Sequence, residues 1–290
     1  MNRKILSTEN LCYVYSDGHR ALDGVSVDFC EGERIAVIGP NGSGKSTFFL
    51  NLNGVYAPSD GSITYREMTV TKKNLKILRQ NVGIVFQDAD NQIIASTVRA
   101  EVGFGPMNLK LPREEVIRRV DEALAYMNIS RFADRPPHYL SSGEKKQVSI
   151  ADIVAMKPEI FIFDEPAASL DPANAIMLEE VLLKLGSANK TLLISTHDVD
   201  FAYRWADRVL VFCEGRIIAD APPLDVFCDA VLLKRANLKR PTMLEVYEML
   251  VARKLVPDTR AYPRTAEELS QVLEGRNQED LGEPIKAKNR

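Results

Sequence analysis

The sequence predicts an α/β domain built on a largely parallel sheet, followed by a small helical appendage. Two patterns carry that expectation. Short apolar runs rich in β-branched and aromatic residues recur at 25–29 (VSVDF), 34–38 (RIAVI), 82–86 (VGIVF), 160–163 (IFIF), 191–195 (TLLIS) and 208–212 (RVLVF). Several are apolar throughout, as strands buried on both faces are. Helical patterns lie between them at 45–53, 113–127, 142–156, 173–186 and 198–205, and strands alternating with helices pair in parallel through crossovers. No solenoid-type repeat interrupts the pattern. The composition shifts near 222: helical patterns follow APPLDVF to about 254, and the polar end GRNQEDLGEPIKAKNR is expected to stay disordered.

The bulk numbers narrow the classes. With 290 residues, 45% hydrophobic and 27% charged, the chain is long enough for one large globular domain plus an appendage. A formal net charge of −3 gives no basic excess for nucleic acid. Cys12, Cys30, Cys213 and Cys228 are scattered without a CxxC pair, which fits free thiols in a reducing compartment. His19 and His138 add no metal-ligand spacing to them. MNRKILSTEN has no apolar signal core, and no run approaches the about 18 apolar residues of a spanning helix, so contact with a membrane is expected to go through a partner.

The first chemistry-bearing element is GPNGSGKS, 39–46, which fits GxxxxGK[ST] between a strand (IAVI) and a helix (TFFLNLNG). Glycines at 39, 42 and 44 let successive amides point inward, and the helix adds its positive N-terminal end. Gly39, Pro40, Asn41, Gly42, Ser43, Gly44, Lys45, Ser46 and Thr47 are therefore the expected triphosphate site. Lys45 is expected on the β- and γ-phosphates and the Ser46 hydroxyl on Mg²⁺. The second element is IFIFDE, 160–165, an apolar strand ending in two carboxylates. Asp164 is placed to hold the Mg²⁺ shell and Glu165 to polarise an attacking water.

The stretch HYLSSGEKKQVSIADIVAMKPEIFIFDEPAASLDP, 138–172, resembles the ATP-binding-cassette (ABC) ATPases, matching their signature, second nucleotide motif and D-loop in order. The family's LSGGQ reads LSSGE here, with Ser142 in place of the usual glycine and Glu144 in place of the common glutamine. The resemblance implies that Ser141, Ser142, Gly143 and Glu144 cap the γ-phosphate of a nucleotide held by another subunit. Ser142 is expected to slow turnover by adding a side chain where backbone approaches, and Glu144 to weaken binding by placing a carboxylate near an anion. By the same resemblance Gln87 is the Q-loop glutamine, touching Mg²⁺ and the attacking water, and His197 in LLISTHD is the switch histidine on the γ-phosphate. Tyr15 matches the aromatic that stacks on adenine, with Tyr13 as competitor.

The matches run from residue 5 to about 220. They imply a P-loop NTPase cassette with a mixed-sheet core, helices and a helical signature subdomain over 5–240, and an extension over 241–290 that is helical and then disordered. One copy of each motif is present, so the resemblance implies a second cassette, identical or paralogous, supplied in trans. The segment 88–124, with Gln92, Thr97, Val98, Glu101, Val102, Phe104, Gly105, Pro106, Asn108, Leu109, Leu111 and Pro112, resembles the energy-coupling-factor importer ATPases, especially the cobalt or nickel branch known as CbiO. LLKRANLKRP, 232–241, resembles that branch's appendage. This implies an ATPase on the cytoplasmic face of the cell membrane, working with a transmembrane coupling subunit and a substrate-binding membrane subunit. Vitamin uptake through a shared module is the neighbouring alternative. A soluble ABC ATPase of translation or DNA maintenance would call for a tandem cassette or basic excess, and a non-catalytic module for loss of Glu165 or His197; neither is seen.

Overall fold

A computed structural model describes residues 3–89, 92–168, 170–256 and 262–280. Two sheets enclose the first half of the core. β1 (Lys4–Val14), β2 (Arg20–Cys30), β4 (Asp60–Tyr65) and β5 (Met68–Thr69) form an antiparallel sheet in the order β2-β1-β4-β5. The larger sheet has the order β10-β9-β3-β8-β7-β6, built from β3 (Arg34–Ile38), β6 (Val82–Val85), β7 (Ile160–Asp164), β8 (Thr191–Ser195), β9 (Arg208–Cys213) and β10 (Arg216–Ala221). Its members pair in parallel except β10, which folds back on β9 through Glu214 and Gly215, both at positive φ as a two-residue hairpin demands.

Alternation along the parallel strands explains their continuous apolar runs. Ile35, Val37, Ile162, Leu193, Leu210 and Phe212 face the antiparallel sheet, meeting Leu6, Val25 and Phe29. The helix α1 (Lys45–Leu52) is wedged in that layer through Phe48, Phe49 and Leu52, all fully buried. Ala36, Ile38, Phe161, Phe163, Ile194, Val209 and Val211 point the other way, into a second cluster covered by helices. That cover includes α3 (Val98–Asn108), α4 (Arg113–Tyr126), α5 (Ser142–Met156), α6 (Pro172–Ser187) and α7 (Val199–Trp205).

The mixed architecture agrees with the expected cassette, and the differences have local reasons. The run 25–29 is only the end of β2, and β1, β4, β5 and β10 carry no continuous apolar signal because one face of each is partly solvated. A further helix, α2 (Leu75–Asn81), precedes β6. Beyond β10 come α8 (Pro223–Cys228), α9 (Ala230–Arg235) and α10 (Thr242–Ala252), and Leu244 of α10 joins the helical-side cluster. The polar end expected to be disordered is helical over its first residues, in α11 (Ala266–Asp280); residues 281–290 lie outside the described ones.

Candidate functional site

The loop after β3 takes its shape from close backbone packing. Gly39 has φ 147°, and a Cβ there would lie 2.2 Å from the Phe212 carbonyl oxygen. Gly44, at φ 105°, would put a Cβ 2.6 Å from the Ala21 oxygen. Side chains are excluded there, so the loop is drawn against β9 and β2. Gly44 is also the N-cap of α1 and offers no side-chain acceptor, which leaves the first-turn N–H groups free for an anion.

Lys45 lies across the loop. Its Nζ donates to the carbonyls of Gly39 (2.9 Å) and Pro40 (3.1 Å). Burial pushes its ammonium below the ordinary lysine range, opposed by the charges of Glu165 and Asp164. Tyr15 Oη is 2.7 Å from Thr47 Oγ1. Tyr13 instead stacks on Tyr56, ring centroids 4.8 Å apart, and packs toward the core.

The carboxylates arrive on β7. Asp164 pairs in register with Ser195 at the end of β8, and Ser195 Oγ donates to Asp164 Oδ1 at 2.6 Å. The same hydroxyl accepts from the Glu165 amide at 2.8 Å. Glu165 has φ 46°, a left-handed conformation that costs a non-glycine residue energy and that this bond helps hold. Its carboxylate is turned toward His197, whose Nε2 is 2.7 Å from Glu165 Oε1.

These parts meet at one cavity of about 510 Å³, lined by Tyr15, His19, Ala21, Asn41, Gly42, Ser43, Gly44, Lys45, Ser46, Thr47, Gln87, Glu165 and His197. Gly39, Pro40 and Asn41 line an adjoining depression with His197 and the 237–239 segment. Asp164 lies behind the wall, 8% exposed. The Ser46 hydroxyl, Gln87 amide and Asp164 carboxylate are hard oxygen donors of the type Mg²⁺ takes.

The signature residues are elsewhere. Ser141 is the N-cap of α5, and a capping box closes the helix start: Glu144 N donates to Ser141 Oγ at 3.3 Å, and Ser141 N to Glu144 Oε2 at 2.8 Å. The Glu144 carboxylate is thus engaged with its own cap. Gly143 sits against Asn174 at the start of α6, where a Cβ would come within 2.4 Å of that side chain. Ser142 is exposed and lines a second cavity, of about 370 Å³, with Gln87, Lys145 and Lys146. None of 141–144 lines the cavity beside Lys45 in its own chain.

His19 and Ala21 in the cavity lining, and Ser195 and Lys146 beside it, escaped the sequence expectations. Ser195 has a signal, as the polar end of an apolar strand next in register to the acidic one. Lys146 has none: it is buried on α5, and its Nζ donates to the carbonyls of Phe86 (2.9 Å) and Gln87 (2.6 Å). Burial pushes its ammonium down to about 8, with Asp88 and Asp164 pulling it back.

Comparison with known proteins identifies the family. Residues 22–168 match the ABC transporter family model. The energy-coupling factor transporter ATP-binding protein EcfA of Methanocaldococcus jannaschii is 42% identical over 87% of this chain and 91% of its own length. The chain spans 60% of a longer Methanosarcina mazei relative, a putative ABC transporter ATP-binding protein. The structure of cbiO1 from Clostridium perfringens, part of the ABC transporter complex cbiONQ, superposes with a TM-score of 0.71 at 40% identity, covering 85% of this chain and 99% of that one. A dimeric ATP-binding cassette in a post-hydrolysis state with ADP and Pi gives a TM-score of 0.68 at 28% identity, covering 76% and 99%. A phosphate loop, an acidic strand end and a facing histidine, on a fold and sequence shared this widely, make the chain a member of the ABC transporter family, an ATP-binding cassette that hydrolyses ATP.

Proposed function

We propose that this chain is the ATP-hydrolysing subunit of an energy-coupling-factor-type importer, acting as one of two cassettes that sandwich ATP head to tail. One observation carries the reading: the Lys45 cradle and the Glu165–His197 pair face a common cavity, whereas Ser141 to Glu144, at the start of α5, do not line it. A cap that takes no part in lining its own site fits the site of a second chain, and the similarity to a dimeric cassette supports this.

The chain's residues then divide the work. Lys45 and the loop amides bind the β- and γ-phosphates, Tyr15 bears on the adenine, and Mg²⁺ held by Ser46, Gln87 and Asp164 would neutralise charge on the phosphate oxygens. Glu165 orients a water and takes its proton as the water oxygen attacks phosphorus and the bond to the ADP oxygen breaks. His197 fixes the Glu165 carboxylate and meets the γ-phosphate. The Ser141 hydroxyl and the α5 N-terminus of the other cassette close the far side. Loss of the bridging phosphate removes the ligand that favours the closed pair, so the cassettes part.

Membrane subunits receive that movement, and the chain sits at the cytoplasmic face of the membrane. Among the described residues no helix is long and apolar enough to cross a bilayer. The likeness to EcfA and to cbiO1 supports this placement. For the cargo, the CbiO-like segment after Gln87 favours cobalt or nickel, and the likeness to EcfA keeps vitamin uptake as a second reading. Co-purification with the membrane subunits, followed by ATP-driven uptake of labelled Co²⁺ or Ni²⁺ into vesicles, tests it. Uptake of a vitamin but neither metal would favour the second reading, and no membrane partner would contradict both.

A further inference from the structure

We infer that Lys146 is a positioning residue for Gln87, linking the glutamine of one ATP site to the helix whose tip caps the other. The inference rests on the two-cassette reading above. Lys146 is 3% exposed, and its Nζ holds the carbonyls of Phe86 at 2.9 Å and Gln87 at 2.6 Å. A buried ammonium offers three donors and makes stronger bonds than a neutral group. Here it grips backbone, so it fixes where the Gln87 residue starts while leaving the amide side chain exposed at the cavity.

A second tie lies on the same helix. The Gln92 amide accepts from Phe86 N at 3.4 Å and donates to the Ser149 carbonyl at 3.2 Å. The Q-loop is therefore strapped to α5 through Lys146 and again, one turn on, through Ser149. α5 is the helix that starts at the Ser141 cap. When that cap engages a nucleotide held by the other cassette, a shift of α5 carries the Gln87 backbone with it. Each site thereby senses closure of its twin.

Lys146→Met keeps the chain length and removes the donors; Lys146→Arg keeps charge and donors. Measured in the full-length protein with its partner subunits, Lys146→Met is expected to lower kcat about ten- to a hundredfold, as a small misplacement of a reacting group does. ATP affinity should stay within about twofold and the Hill coefficient should fall toward one, because coupling rather than binding is lost. Lys146→Arg should restore most of kcat. Lys146→Gln, with a shorter neutral donor, should fall between them and serves if the methionine variant does not fold. A wild-type assembly that turns over ATP, with the Met and Gln variants equal to it, would overturn the inference alone. A wild type without turnover would overturn the proposed function as well. Parallel loss of kcat, ATP affinity and thermal midpoint, without rescue by arginine, would mark Lys146 as structural and overturn the inference.

Discussion

His197 Nε2 lies 2.7 Å from Glu165 Oε1, so the side chain proposed to take the water's proton is held by the one proposed to meet the γ-phosphate. Glu165 meets that partner from a left-handed backbone at φ 46°, with its amide bonded to Ser195.

Glu165→Gln keeps the shape and removes the proposed base. Steady-state ATPase assays should show kcat lowered by about 10²–10⁴-fold, the usual contribution of a positioned base. ATP affinity, read by equilibrium binding, should be retained. Full turnover in this variant would remove Glu165 from its role.

Lys45→Ala removes the cation that bridges the loop carbonyls of Gly39 and Pro40. One charge-assisted contact to phosphate amounts to about 1.5–3 kcal/mol, so ATP affinity should fall at least about tenfold. Unchanged affinity would contradict the assignment of the loop.

Ser195→Ala leaves the Glu165 amide and Asp164 Oδ1 without the hydroxyl that joins them. A stability loss of about 1–3 kcal/mol is expected in denaturant unfolding, the ordinary consequence of unpaired buried groups. A larger effect is expected on kcat than on ATP affinity, because Glu165, the proposed base, loses the bond that holds its backbone.

Asp152 gives a pH dependence. Burial and the nearby Glu101 charge raise its carboxyl to about 7, against hydrogen bonds from Gln92 and the Gly105 backbone that lower it. The folded state therefore holds a proton that the unfolded chain releases near the usual carboxylate value. The stability of the neutral form is fully present at acid pH and is lost as pH rises through about 7. Asp152→Asn should flatten that slope. At pH 8 it should raise the thermal midpoint by about 2–4 °C per kcal/mol regained.

Much of the site was legible because its chemistry depends on local sequence. GPNGSGKS, IFIFDE and the histidine after TLLIS each lie at the end of a parallel strand, where apolar runs identify the strand and the polar residues that follow face the crevice. The antiparallel strands were less readable, since half-solvated faces leave no continuous apolar run. Lys146 was invisible because its significance is a contact across 60 residues of sequence. The sequence places the Glu144 carboxylate near an anion, whereas the capping box turns it back onto the Ser141 amide. By that geometry Glu144→Gln, which can make the same cap, should change stability little. Glu144→Ala should cost about 0.5–2 kcal/mol, as lost caps do.

The pairing of cassettes is the central claim, and the mass of the hydrolysis-blocked protein in solution tests it most directly. Light scattering of Glu165→Gln with ATP and Mg²⁺ should show a species of roughly twice the 32.4 kDa chain, or a stoichiometric pair with a paralogous cassette, reverting when nucleotide is removed. A protein that binds ATP yet remains at 32.4 kDa, alone and beside its membrane partners, would contradict it.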